Sequence, residues 1–136
     1  EINIKASPNQ VWKVLTDFNN YSNWNPFIKQ IEGTLKVGEK LKAVIQAPES
    51  SAMTFKPTVM SYKENNEFSW LGHLLFKGIF DGLHKFELID NQDGSTTLIQ
   101  SEIFEGILVP LFKKQLRVNT KNGFHAMNEK LKELCE

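Results

Sequence analysis

Arginine is nearly missing from this sequence: Arg117 is the one arginine among sixteen basic residues, which balance sixteen acidic ones. A neutral, lysine-based chain has no overall electrostatic footprint for nucleic acid or anionic lipid, and one bidentate fork at most for phosphate or carboxylate. Cysteine is as scarce. Cys135 stands alone, so no internal disulfide can form, which fits a reducing compartment. No motif surrounds it, and it reads as structurally incidental. No apolar run approaches the ~18 residues of a membrane span, so stable membrane insertion is not expected. No leader is visible and Glu1 opens directly onto a strand pattern; the expected location is the cytoplasm, with a few natural residues expected before Glu1. His73, His84 and His125 never fall at metal-ligand spacing, and no Cys/His cluster, phosphate-binding glycine pattern or nucleophile elbow occurs. Neither a metal nor a cofactor is expected.

Aromatic residues are what the sequence does have. Ten Phe, three Trp and two Tyr run along all 136 residues, a length that suits one domain, 1–136. Aromatics dominate cores by area and also line ligand cavities.

After a short alternating strand at Ile2 to Ile4, Ser7-Pro8-Asn9-Gln10 carries an N-cap, a first-turn proline and a capping-box partner. A helix is predicted from residue 8 to 16 or 17, then a helical turn over 21–24, closed by Asn25-Pro26. Strands are predicted at 27–32, 41–47, 53–62, 68–74, 79–90 and 96–104, with Pro57 marking an edge or bulge. Tight turns between them imply an antiparallel meander. Gly72, Gly78 and Gly82 would allow sharp coiling or leave room for a ligand. The last segment, near 110–134, is helical, with Leu116, Thr120, Phe124, Met127, Leu131 and Leu134 on one apolar stripe and lysines and glutamates on the other faces. Gly123 inside it serves close packing or ligand space. The fold class is therefore α+β: a curved antiparallel sheet around one long C-terminal helix, with two short helices closing one end.

The hairpin from residue 79 to 104 is the most informative segment. A five-residue loop at 91–95 sets Asp90 opposite Thr96, Leu88 opposite Leu98, Phe86 opposite Gln100, His84 opposite Glu102 and Gly82 opposite Phe104. His84 and Glu102 then share the inner face with apolar neighbours. They could satisfy each other, hold a polar group of a ligand, or act as acid and base. Trp70 shares parity with Gly72 and should face the helix. Arg117, beside the stripe, either is solvated or reaches the cavity mouth to hold a carboxylate or phosphate. His73 is expected to face outward, His125 to lie off the stripe, and Asp17 and Asp81 to be surface or capping residues. Trp24 to Phe27 should pack the short helices onto the sheet mouth.

Several blocks resemble START-like proteins of the SRPBCC superfamily. They are Ile4-Lys5-Ala6-Ser7-Pro8-Asn9-Gln10-Val11-Trp12, Leu15-Thr16-Asp17-Phe18, Tyr21 and Trp24-Asn25-Pro26-Phe27. Further along come Trp70 with Gly72, Gly82 with His84 and Phe86, Glu102 with Phe104 and Gly106, and Gly123-Phe124 with Met127-Asn128. Beyond the N-terminal block the sequence is similar to the bacterial polyketide cyclase/dehydrase-like branch. The resemblance implies a helix-grip fold whose relatives bind lipids, sterols, polyketides, hormones or quinones, some as cyclases and others as carriers or sensors.

Three functions follow. The first is binding or carriage of a small hydrophobic molecule, walled by Trp70, Gly72, Phe86, Phe104, Thr120, Phe124 and Met127 and anchored by His84, Glu102 and Arg117. The second is a cyclase or dehydratase that moves protons through His84 and Glu102. The third is an interaction module with a filled cavity. The expected partner is the hydrophobic ligand, not nucleic acid; a homodimer stays open.

Overall fold

The computed structural model describes residues 1–73, 78 and 80–136. Leu74 and Ile79, expected at strand ends, lie outside the described residues. In chain order the elements are β1 (Ile2–Ile4), α1 (Pro8–Thr16), a 3-10 turn (Phe18–Asn20), α2 (Tyr21–Trp24), β2 (Ile28–Glu32), β3 (Lys42–Ile45), β4 (Met53–Phe55), β5 (Thr58–Lys63), β6 (Glu67–His73), β7 (Asp81–Asp90), β8 (Thr96–Glu105) and α3 (Val109–Cys135).

The start of α1 is built as its sequence dictates. Ser7 Oγ accepts from the Gln10 backbone N–H at 3.3 Å, and Gln10 Oε1 accepts from the Ser7 N–H at 3.2 Å. This reciprocal box typically contributes about 1 kcal/mol. At the other end of the short helices, Asn25 Oδ1 accepts from the backbone N–H groups of Phe27 and Ile28, at 2.9 and 2.8 Å, turning the chain into β2. Tyr21 packs edge-on against Phe18 and Trp24, and its buried hydroxyl donates to the Leu15 carbonyl.

The expected single meander is in fact two antiparallel sheets, one ordered β1-β8-β7-β6-β5 and the other β2-β3-β4. The strand predicted over 53–62 divides at Pro57, which has no N–H to donate to a ladder. Its second half, β5, leaves β4 for β6 and touches the other sheet through the bridge between Lys40 and Thr58. The β7–β8 register is the one that the hydrophobic pattern requires, with His84 opposite Glu102 and Phe86 opposite Gln100. On the other side of β7, Trp70 lies opposite His84, Phe68 opposite Phe86 and Gly72 opposite Gly82.

Burial along α3 is uneven, and this sets up the site. Its buried residues are Gly123, Met127, Asn128 and Leu131, all in the second half. Met127 and Leu131 join Phe68, Phe86, Leu98, Val11, Leu15 and Ile4 in a dense core at the end closed by α1. Leu134, expected on the inner stripe, is half exposed; on the last turn it is Cys135 that packs against the core. Residues 109–122 have no buried member. Their inner side faces open space.

Candidate functional site

That space is a chamber of about 490 Å³, within the ~300–1,000 Å³ typical of small-molecule sites. Its sheet wall carries Trp70, Gly72, Gly82, His84, Glu102 and Phe104. Phe112, Leu116, Thr120 and Phe124 of α3 roof it, and Ile45, Met53 and Phe55 of the smaller sheet close a third side. Gly72 and Gly82 face one another across β6 and β7, so the floor between them has no side chain.

Of the residues expected to bind ligand, Trp70, Gly72, His84, Glu102, Phe104, Thr120 and Phe124 line this chamber. Phe86 and Met127 do not. Both are fully buried in the core behind it. Phe86 is stacked beneath His84 at 4.6 Å and against Phe68 at 4.8 Å, one layer deeper along β7 than the chamber floor. Met127 sits beyond Phe124 on α3, where helix and sheet already touch. Arg117 lines a neighbouring cleft instead. Sequence reasoning missed Phe27, Phe112 and the β3–β4 residues as lining. Their apolar alternation was visible, but the closure of one sheet over the other was not.

The polar chemistry centres on a chain of side chains running inward from α3. Gln100 Nε2 donates to Asn128 Oδ1 at 2.9 Å, which leaves Gln100 Oε1 to accept from His84 Nε2–H at 2.8 Å. This fixes the tautomer: the Nδ1 face of His84 is the one turned to Glu102. Nδ1 and Glu102 Oε2 are 3.1 Å apart. They make no aligned hydrogen bond, so Oε2 is a buried oxygen without a hydrogen-bond partner among the described residues. Burial pulls the His84 imidazole down to about 4, against the opposing pull of the Gln100 hydrogen bond. Burial also pushes the Glu102 carboxyl up to about 8. Near pH 7 the pair is therefore a neutral acid beside a neutral imidazole, not an ion pair, because neither charge is solvated well enough to form. Glu102 can give a proton or a hydrogen bond to an oxygen on a bound molecule, and Nδ1 can take a proton back.

Glycine at position 82 keeps the Glu102 carboxyl in place: a Cβ there would stand 2.7 Å from Glu102 Oε1. Gly82→Ala is expected to tilt the carboxyl toward solvent and move its titration down toward the ordinary range, read by NMR of a ¹³C-labelled side chain. An unmoved titration would show that the carboxyl yields without leaving its pocket.

The other candidates lie elsewhere. His73 is outward as expected, yet Asp81 is not a lone surface residue: its Oδ1 meets His73 Nδ1 at 2.6 Å, and the carboxylate also accepts from the Gly78 N–H. Asp17 caps the end of α1 and adds to the burial that raises the Tyr21 hydroxyl. Cys135 is half buried, which raises its thiol. Among the described residues no cluster of His, Cys, Asp or Glu is arranged to hold a metal, and no helix is long and apolar enough to cross a membrane.

A curved sheet gripping one long helix over an apolar chamber defines a START-like, helix-grip protein. The chain belongs to the family described as polyketide cyclase / dehydrase and lipid transport, whose model matches residues 1–136. Among solved structures it is similar to a START superfamily protein from Mycobacterium smegmatis, at 18% identity and TM-score 0.70, covering 98% of this chain and 94% of that one. A protein from Mesorhizobium loti is similar at 19% identity and TM-score 0.71, covering 98% and 93%. The di-domain ARO/CYC StfQ of the steffimycin biosynthetic pathway aligns at 11% identity and TM-score 0.73, over 98% of this chain and 48% of that one. Likeness at these identities establishes the fold. No curated protein matches.

Proposed function

We propose that the protein binds or carries a small hydrophobic molecule (a lipid, polyketide, quinone or similar) that presents one oxygen function to Glu102. One observation carries this reading: an apolar chamber of about 490 Å³ is lined by Glu102, whose buried carboxyl has an oxygen with no hydrogen-bond partner among the described residues. An unsatisfied buried polar atom typically costs about 1–3 kcal/mol, which a ligand hydroxyl or carbonyl would recover. Family membership supports hydrophobic-ligand chemistry in general. The open volume counts against an interaction module with a filled cavity.

Catalysis is a second reading, favoured by the neutral Glu102 and His84. A carboxyl held protonated near neutral pH and an adjacent unprotonated imidazole are the parts needed for general acid–base work in a cyclase or dehydratase. Binding requires fewer parts and is the primary conclusion.

The test is native mass spectrometry of protein purified from its own host, followed by denaturing extraction. A stoichiometric hydrophobic molecule is expected, and it should be lost from Thr120→Trp, whose indole would occupy the chamber from the exposed half of α3. Bare wild-type protein, with no thermal shift across a hydrophobic library, would sink the binding reading.

A further inference from the structure

A second cleft of about 480 Å³ lies on the other side of α3 and shares five wall residues with the chamber: Glu102, Phe104, Leu116, Thr120 and Phe124. The two spaces are thus separated by one layer of shared side chains. The character of the cleft is different. Lys113, Arg117, Lys121 and His125 line it from four successive turns of α3, each four residues after the last. Spacing of this kind puts all four on one helical face.

The charge pattern is one-sided. No acidic residue occurs between Glu105 and Glu129, while Lys113, Lys114, Arg117 and Lys121 fall in that stretch of an otherwise neutral chain. The expected mixing of glutamate with lysine along the helix is therefore confined to its last turns. Among the described residues, Lys113, Arg117 and Lys121 form no ion pair, and Glu1 is the one exposed carboxylate on the cleft wall. A row of unneutralised cations beside an apolar chamber matches a ligand that is itself apolar at one end and anionic at the other.

We infer that the ligand is an anionic amphiphile, its apolar body in the chamber and a carboxylate or phosphate held by Lys113, Arg117 and Lys121 in the cleft. This rests on the binding function proposed above and specifies its ligand class.

The test compares three probes of equal chain length, dodecanoate, dodecyl phosphate and dodecanol, by calorimetry with the full chain, in wild type and in the Arg117→Glu/Lys121→Glu variant. Both anions are expected to bind wild type about tenfold or more tightly than dodecanol at low salt, a difference of about 1.4 kcal/mol or more, and to lose that advantage as ionic strength rises. The variant should bring the anions to within about twofold of dodecanol and leave dodecanol unchanged, its exposed sites keeping the fold intact. Preference for one anion over the other distinguishes carboxylate from phosphate as the group recognised. Equal binding of all three probes to wild type overturns the inference but leaves the binding function standing. If such equal binding accompanies sedimentation with phosphatidylglycerol vesicles, the basic row is a membrane-facing surface instead. No binding of any probe overturns the chamber's function and the inference together.

Discussion

Gly123→Ala is expected to lower the melting temperature by several degrees, although it removes a glycine from the interior of a helix. On propensity alone the change should stabilise by about 1 kcal/mol. Packing reverses the sign. A Cβ at position 123 would sit 2.3 Å from two ring carbons of Phe27. That ring is 6% exposed and meets Phe124 edge-on at 5.7 Å, so its available direction of retreat is the chamber that it helps to line. Overpacking of this kind typically costs about 1–3 kcal/mol, and contact this short belongs at the upper end. The net loss is about 1–2 kcal/mol, or ~3–8 °C in a chain of this length. Thermal unfolding of Gly123→Ala, Phe27→Leu and the double variant checks the cause. The double variant should melt well above the value that the two single losses add to, since Phe27→Leu removes the clashing ring edge. Strict additivity would place the defect elsewhere. The same clash settles what Gly123 is for: it lets α3 approach Phe27, rather than leaving room for a ligand.

The second large effect is a decline in stability between about pH 6.5 and pH 8 that disappears in Glu102→Gln. The Glu102 carboxyl is raised from 4.5 to about 8 in the folded protein, so between those values the folded state holds a proton that the unfolded chain has released. Stability from this group is full below 4.5 and is lost as pH rises through about 8. The His84 imidazole is lowered from 6.5 to about 4, so its contribution has the opposite sign: present above 6.5 and lost as pH falls through about 4. Between 4.5 and 6.5 the two slopes oppose and largely cancel. Above 6.5 the slope from Glu102 stands alone for about one and a half pH units, at about 1.4 kcal/mol per unit, so the fall is at most about 2 kcal/mol. Urea unfolding at half-unit steps from pH 5 to pH 8.5 would show a plateau and then a decline. Glu102→Gln, which cannot ionise, should instead gain stability from pH 5 to about 6.5, where the His84 slope is no longer opposed, and be flat above 6.5. An identical decline in the variant would assign the slope to another group.

What the sequence by itself determined is everything that depends on local pattern. The capping box at Ser7 and Gln10 specified where α1 begins, because both partners lie within one turn. Period-two alternation over residues 82–104, together with the five-residue loop, fixed the register that puts His84 opposite Glu102, since a slip by one residue would have buried Lys85 or Glu87. The heptad-like stripe of α3 identified its inner side. The residues that resemble START-like proteins pointed to the same grip.

Only the tertiary structure decided which inner residues touch open space. Trp70, Phe86, Phe124 and Met127 all carry the inward signature, yet Phe86 and Met127 belong to the packed end and Trp70 and Phe124 to the chamber. The difference is the distance between helix and sheet, which widens from Met127 toward Val109 and leaves no trace in local periodicity. The break at Pro57 into two sheets, and with it the β3–β4 wall, likewise depends on which strand finds which partner. So does the state of Glu102. Sequence set it beside His84, but its raised affinity for a proton comes from the burial that the docked elements impose, while His84 Nε2 is committed to Gln100, which Asn128 of α3 holds in turn. Hydrophobic pattern selects a face; the volume enclosed between faces, and the ionisation it permits, arise only when the elements have docked.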